Sequence, residues 1–436
     1  MSRNKKSSVV NLGCRLNGYE SSVIDGILQQ EGIEDTIVIN SCAVTKEAER
    51  KSRQEVRRLK KLFPEKKIVV TGCAAQINPE QFSKMQEVDK VIGNSFKTDV
   101  SFYRGLKTEV KSLDYQIANE EKILVNDIMS ITETASHIFT DKQDRSRAFL
   151  QIQNGCNHRC TFCIIAYGRG NSRSVPVAQI IDSVNYLIEK DGYNEVVLTG
   201  VDITDYGSNL PASPKLGALC KRILANTSLK RLRLSSIDVA EVDDDILDLL
   251  ANEPRFMPYF HISLQSGNDM ILKRMKRRHL RDDVFKFLEK ARNLRPDIGF
   301  GADIICGFPT ETDEMFEDTK NLVREAGIPY LHAFTYSPRD GTPAARMPQV
   351  DQKAAKNRTN ELIAIADDNL QKFLATMINR DFDVIIEEKG VARCENFAKV
   401  EIANYDKIKE TIQVGSIARC KILSVGTGVL VGDVCQ

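Results

Sequence analysis

The chain has 436 residues and a formal net charge of +1. That length suggests more than one domain, and the balance excludes the global basic excess of many nucleic-acid binders, so any RNA contact must come from local patches. Eleven cysteines, an odd number in a chain whose start, MSRNKKSSVVNLG, lacks a signal-peptide core, point to metal or redox chemistry rather than structural bridges. No uninterrupted apolar run is long enough for a bilayer, so a soluble, cytoplasmic protein with no membrane partner is expected.

From Ser8 to about Asp99, short apolar runs alternate with charged helical stretches. SSVVNLGC, DTIVINSC and KKIVVTGC each read as a buried strand ending at a cysteine, with ESSVIDGILQQEG and KEAERKSRQEVRRLKKLF as intervening helices. This alternation predicts a parallel sheet, and ligands on such sheets gather beyond the carboxyl ends of the strands. Cys14, Cys42 and Cys73 stand at those ends. Read singly, each is an ordinary buried cysteine. Read together, at one point of three successive units, they form a second three-thiolate site.

A looser stretch runs from Val100 to about Asp144, with DKQDRSR as its polar end, and reads as a linker in which LVNDIMSI could be ordered. From Ala148 to about Pro348 the alternation resumes on a larger scale. AFLQIQNGC, NEVVLTGVD, KRLRLSSID, YFHISLQSG, GFGADIICGFP and YLHAFTYSP are the strands, most separated by helical patterns such as DDVFKFLEKARNL. About six β/α units fit, predicting a partial barrel with its active residues at the carboxyl ends of the strands. A mixed-charge helix follows. From about Phe382, alternating segments with Gly turns predict a small β-barrel. The expected class is α/β with a terminal small β-barrel, in domains over residues 1–135, 136–371 and 372–436. Cys220, Cys394, Cys420 and Cys435 read as plain core residues, and Cys306 as packing.

The stretch GCNHRCTFCIIAYGRG, from Gly155, holds Cys156, Cys160 and Cys163 within one loop. Thiolates favour iron–sulfur clusters or zinc. Structural zinc needs four ligands, and no fourth follows at knuckle spacing. His158, between two ligands in a tight loop, is expected to face outward. Three thiolates on a four-iron cluster leave one iron open.

CNHRCTFC after the first strand of a β/α barrel resembles the radical S-adenosylmethionine superfamily. The whole set of motifs narrows this further. LGCRLNGYES, INSCAVTKEAERKSRQ, TGCAAQ, VLTGVDI, HISLQSG, DIICGFPTET and YSPRDGTPA occur in the order found in methylthiotransferases. The first two look most like the branch acting on N6-threonylcarbamoyladenosine in tRNA. The isopentenyladenosine branch and the ribosomal-protein S12 aspartate branch are the alternatives. INSC stands where the group more often has Asn-Thr-Cys, and Ser41 keeps the hydroxyl.

The resemblance implies two 4Fe–4S clusters, one on Cys156, Cys160 and Cys163 and an auxiliary one on Cys14, Cys42 and Cys73. It implies that one S-adenosylmethionine donates a methyl group to a sulfur at the auxiliary cluster. A second is cleaved to a 5′-deoxyadenosyl radical that abstracts hydrogen from adenine C2 at tRNA position 37. It implies a terminal domain of the TRAM type and an electron donor such as flavodoxin or ferredoxin. Phe162 matches the adenine-packing position, and Thr199, Gly200 and Asp202 lie where the methionine end would sit. Ser235 and Gln265, at strand ends, are candidates for hydrogen bonds to ribose or carboxylate, or else caps and turns. Ile305 and Gly307 are placed to flank the adenine, and Glu311 to cap the next helix.

Two basic runs remain. One holds Lys273, Arg274, Lys276, Arg277, Arg278 and Arg281; the other holds Arg50, Lys51, Arg53, Arg57, Arg58, Lys60 and Lys61. Each reads as a solvated face or as a set of phosphate contacts. Phe382, Phe397 and Tyr405 are candidates for base stacking or for the core. An iron–sulfur electron carrier with an RNA-binding tail is a competing class, which the barrel-sized segment after Cys163 argues against.

Overall fold

The strand TIVINS is buried at every position, as a strand covered by helices on both faces must be. It is β2 (Thr36–Ser41) of a parallel sheet ordered β1-β2-β3-β4-β5, with β1 Val9–Asn11, β3 Lys67–Gly72, β4 Lys90–Ile92 and β5 Ile123–Leu124. The structure is a computed structural model describing residues 8–107, 121–134 and 146–435. Helix α1 (Arg15–Gln30) follows β1. Helix α2 (Lys46–Leu62) starts at Thr45, whose hydroxyl accepts from the Ala48 N–H, with Glu47 and Glu49 in its first turn and Lys60 and Lys61 in its last. Each feature suits the helix dipole. Two short helices, α3 (Cys73–Ile77) and α4 (Pro79–Ser83), lead to β4.

The stretch read as a linker is partly built into this sheet. Helix α5 (Val100–Lys107) buries Tyr103, whose hydroxyl donates to the Lys97 carbonyl. Strand β5 extends the sheet, and residues 128–130 form a helical turn. The segment DKQD (141–144) lies outside the described residues.

The barrel is assembled from two parallel sheets that meet at Ser235. One is ordered β10-β9-β6, with β6 Ala148–Gln151, β9 Glu195–Thr199 and β10 Arg231–Leu234. The other is ordered β11-β12-β13-β14, with β11 Ser236–Ile237, β12 Tyr259–Gln265, β13 Gly299–Cys306 and β14 Tyr330–Thr335. A small antiparallel pair, β7 (Gln153–Asn154) with β8 (Arg173–Ser174), folds the cysteine loop back. One apolar core runs from Val23, Ile24 and Ile27 of α1 through Leu150 and Leu198 to Ile262 and Ile304. The first sheet and the barrel are therefore packed together by the hydrophobic effect.

Helix α6 (Ile165–Arg169) follows the cysteine loop. Outer helices α7 (Val177–Glu189), α8 (Leu216–Asn226), α9 (Asp244–Asn252), α10 (Asp269–Arg274), α11 (Arg281–Leu294) and α12 (Asp313–Ala326) cover the barrel. The longer α13 (Gln352–Ala375) leads into a closed barrel ordered β15-β16-β17-β19-β18. Its strands are β15 Asp381–Glu388, β16 Val391–Cys394, β17 Lys399–Ile402, β18 Ile417–Val425 and β19 Leu430–Val434.

Phe382 lies in this closed barrel's core, and Tyr405, half-buried, packs against it. Phe397 instead stacks on Tyr259 at the start of β12, with ring centroids 4.4 Å apart. A side chain at Gly299 would collide with the Asn396 carbonyl beside it. The terminal domain thus plugs the floor of the large barrel. Cys220, Cys394 and Cys420 are buried as expected, but Cys435 is exposed.

Candidate active site

Because β1, β2 and β3 are parallel neighbours, the chain leaves each at the same edge of the sheet. Cys14 is the residue before α1, Cys42 follows β2, and Cys73 opens α3 directly after Gly72. Gly72 has φ +94°, and a side chain there would press within 2.6 Å of the Ser41 nitrogen, so this tight approach of β3 to β2 requires glycine. Burial, then the charges of Cys73 and Cys14, push the Cys42 thiol up to about 11. The three sulfurs therefore share one electrostatic environment.

A guanidinium completes this set. Arg169 Nε donates to Cys73 Sγ at 3.2 Å, and Arg169 Nη2 donates to Asn17 Oδ1 at 2.8 Å. Cys14 Sγ lies 3.3 Å from the same Asn17 oxygen. Behind Arg169, Glu20 accepts from it at 2.5 Å and from Lys97 Nζ at 2.5 Å. All three charged groups are buried. Burial alone would raise the Glu20 carboxyl; Arg169 and Lys97 bring it down to about 2. Two buried cations facing one carboxylate leave an excess positive charge beside three thiols. That arrangement is costly by itself, and a thiolate among the sulfurs would offset it.

The second set is held by its own loop. Gly155 at φ +75° and Arg159 at φ +56° turn the backbone around the cysteines. The Cys156 N–H donates to the Gly170 carbonyl at 3.1 Å and the Cys163 N–H to the Cys160 carbonyl at 3.1 Å. Backbone N–H groups of His158 and Ile165 point at Cys156 Sγ and Cys163 Sγ, each at 3.4 Å. Burial raises the Cys156 thiol, followed by the Asp202 charge and the neighbouring Cys163 and Cys160. Cys163 is pushed up to about 11, first by burial and also by Cys160.

Here too a guanidinium stands by. Arg277 Nη1 lies 3.6 Å from Cys160 Sγ while Nη2 donates to Asp238 at 2.6 Å. His158 does not face outward. Its Nε2 sits 2.8 Å from an Asp202 oxygen and 3.2 Å from Glu241, because the loop curls over those carboxylates.

Around this loop lie the other residues singled out from the sequence. Phe162 and Ile305 pack on one small cluster with Phe308, forming an apolar wall beside Cys163. Thr199 is buried, and a side chain at Gly200 would press on the Gln153 carbonyl at 2.8 Å. Gln153, which carried no signal in the sequence, accepts from the N–H groups of Val201 and Asp202 at 3.0 and 2.9 Å and so holds the loop after β9. Ser235 is buried at the junction of the two sheets. Gln265 ends β12 with φ +68°.

Gly307, at φ +72°, donates to Glu311 at 2.8 Å. Glu311 is thereby occupied, with Arg358 as its second partner. It does not cap α12; the Thr312 hydroxyl does, accepting from Met315. In the basic run around Arg277, Lys273 and Lys276 are exposed while the arginines are paired. Arg274 binds Thr310, Arg278 binds Glu241 and Arg281 binds Glu325. On α2, Arg50 and Arg58 pair with Glu47 and Glu55, Arg53 donates to Gln81 and Lys60 to the Lys66 carbonyl, while Lys51, Arg57 and Lys61 are exposed.

Comparison with known proteins agrees with this geometry. Residues 150–323 match the radical SAM superfamily, and residues 6–93 match the uncharacterized protein family UPF0004. The chain is 49% identical over 429 residues to the threonylcarbamoyladenosine tRNA methylthiotransferase MtaB of Rickettsia prowazekii, covering 98% of this chain and 97% of that protein. It is 33% identical to the MtaB of Bacillus subtilis, covering 95% and 93%. The protein belongs to the radical SAM methylthiotransferases.

Another relative is the tRNA-2-methylthio-N(6)-dimethylallyladenosine synthase of Roseobacter denitrificans, at 31% identity and 97% coverage of both chains. Among solved structures, the radical S-adenosylmethionine methyltransferase TsrM of Kitasatospora setae shares the fold, with a TM-score of 0.50 at 13% identity over 73% of this chain and 68% of that one. For a methylthiotransferase the residues at both sites suit iron–sulfur clusters. The donors are soft thiols in threes, and all eleven cysteines are free.

Proposed function

We propose that this methylthiotransferase adds a methylthio group to C2 of N6-threonylcarbamoyladenosine at position 37 of tRNA, using two molecules of S-adenosylmethionine and two 4Fe–4S clusters. The observation that carries the reading is the pair of separate three-thiol sets, each with its own buried arginine. When bound, the clusters and S-adenosylmethionine supply a one-electron radical source and an iron site for the transferred sulfur, chemistry that an unactivated aromatic carbon requires.

The chain's own residues do the rest. Cys156, Cys160 and Cys163 would hold the radical-generating cluster; Cys14, Cys42 and Cys73 the auxiliary one. Phe162 and Ile305 would wall the adenine of S-adenosylmethionine, with Gly307 beside them. Thr199, Gly200 and Asp202 would border its methionine end, and Ser235 and Gln265 its polar groups. Residues 1–135 would carry the auxiliary site, 136–371 the radical chemistry and 372–436 the TRAM fold. The exposed cations of α2 and the terminal domain would meet tRNA phosphates, and a protein such as flavodoxin or ferredoxin would deliver the electron.

The test is mass spectrometry of tRNA nucleosides from a strain lacking this gene. The methylthio form of threonylcarbamoyladenosine is expected to vanish, with its unthiolated precursor in its place. Loss of the methylthio group from dimethylallyladenosine instead would overturn the substrate assignment.

A further inference from the structure

Three titratable side chains outside both cysteine sets meet on the inner wall of the large barrel. Asp303 of β13 holds two imidazoles with one oxygen, His261 Nε2 at 3.0 Å and His332 Nδ1 at 3.2 Å. Behind His261, the Tyr259 hydroxyl lies 3.2 Å from Nδ1. A Tyr–His–Asp–His chain thus crosses three adjacent strands.

The direction of its last member is fixed by strand alternation. On β14, Leu331 and Ala333 pack into the main core beside Ile365 of α13, so Tyr330, His332 and Phe334 face the lumen. His261 is almost fully buried, with its side chain 5% exposed, whereas the His332 side chain is 54% exposed. With Nδ1 committed to Asp303, His332 presents Nε2 to the open lumen. Phe334, exposed on the same face, lies two residues further along. The register pairs Asp303 with His332 and Ile305 with Phe334. The triad therefore sits about 7 Å below the level of Ile305, roughly the depth of one base and its substituent.

Two guanidiniums stand near this point, that of Arg233 paired with Glu195. Arg15, next to Cys14, is exposed and close enough to act on the Tyr259 phenol. The floor holds Arg233 over Tyr259, at 6.0 Å from its ring. An apolar dimethylallyl group would gain nothing from such a wall, and an imidazole and a guanidinium would lose hydration against it. A threonylcarbamoyl group carries a free carboxylate, a hydroxyl and urea N–H groups, and an imidazole poised by a carboxylate is a charge-assisted partner for them.

We infer that His332, positioned by Asp303 and His261, is the residue that reads the carboxylate-bearing N6 substituent of the target adenosine. This rests on the substrate assigned under Proposed function. It makes His332 a specificity residue, separate from the groups that hold S-adenosylmethionine or iron.

The test uses the full chain with both clusters reconstituted. Its affinity is measured for tRNA bearing threonylcarbamoyladenosine at position 37 and for the same tRNA with plain adenosine there. Wild type is expected to prefer the modified tRNA. His332→Phe should reduce that preference about tenfold, the size of one lost charge-assisted hydrogen bond, through weaker binding of the modified tRNA. His332→Gln, which keeps a neutral polar group, should fall between the two. Bound iron and the visible spectrum report that each variant is folded. A His332→Phe protein that keeps the full preference overturns the role of His332 and leaves the substrate assignment standing. A wild type with no preference, and no methylthio product from the modified tRNA, overturns both.

Discussion

Cys14, Cys42 and Cys73 are spread over three strands and brought together by the sheet, whereas Cys156, Cys160 and Cys163 share a single loop. The first set gets its precision from strand register and from Gly72; the second gets it from backbone turns and N–H groups aimed at sulfur. Their arginines differ as well. Arg277 comes from the same barrel as the loop it serves. Arg169 lies in α6, directly after the second set, yet its side chain reaches the first. Gly168, one residue before it, packs so closely that a side chain there would stand 3.2 Å from Cys73 Cβ. One short segment, Cys156–Arg169, therefore ends one site and completes the other. The lesson is that two sites with separate donors can still be fixed relative to each other by a single buried charge.

The largest effect should come from Glu20, which balances that charge. Glu20→Gln leaves Arg169 and Lys97 as buried cations without a carboxylate. It should lower stability by about 3–5 kcal/mol near neutral pH in chemical denaturation of the cluster-free chain. The sign of its pH dependence follows from a carboxyl held at about 2 against an ordinary 4.5. The stabilisation is complete above about 4.5 and is lost as pH falls toward 2, so the gap between variant and wild type should close over that window. A gap that stays constant down to low pH would show that Glu20 acts by packing.

A smaller, crossed effect should separate the two arginines. Arg169→Met removes a hydrogen bond to Cys73 but leaves Glu20 paired with Lys97, a loss of about 2 kcal/mol. After anaerobic reconstitution it should deplete iron from the first set while the Cys156 set stays filled. Arg277→Met should do the reverse. If both variants deplete the same set, the division drawn between the two regions is wrong.

How much of this was legible in the chain depends on sequence distance. The six cysteines could be read because each stands at a strand end or inside a short motif, and the parallel sheet and partial barrel followed from alternation of element types. Strand β5 escaped because two residues, Ile123 and Leu124, carry no periodicity. Arg169 sits inside a motif that was read, but its carboxylate partner lies 149 residues away, and local sequence holds no record of such a contact. Arg277 was hidden in a run of cations that looked uniform; only folding makes it the one that meets a thiol. His158 was misjudged because the carboxylates of Asp202 and Glu241 that draw it inward are far off in the sequence, Glu241 by 83 residues. Phe397 could be read as a base-stacking or as a core residue, and its ring seats the terminal domain on Tyr259.

The claim at the centre of this account is that the two thiol sets hold separate clusters with separate work. It is tested most directly by iron content and product analysis of two triple variants reconstituted without oxygen. Replacing Cys156, Cys160 and Cys163 with Ala should leave about half of the wild-type iron and no cleavage of S-adenosylmethionine. Replacing Cys14, Cys42 and Cys73 should also leave about half of the iron, with 5′-deoxyadenosine still formed and no methylthio product. Iron content unchanged by either triple replacement, or 5′-deoxyadenosine abolished by the second while the Cys156 set remains filled, would contradict it.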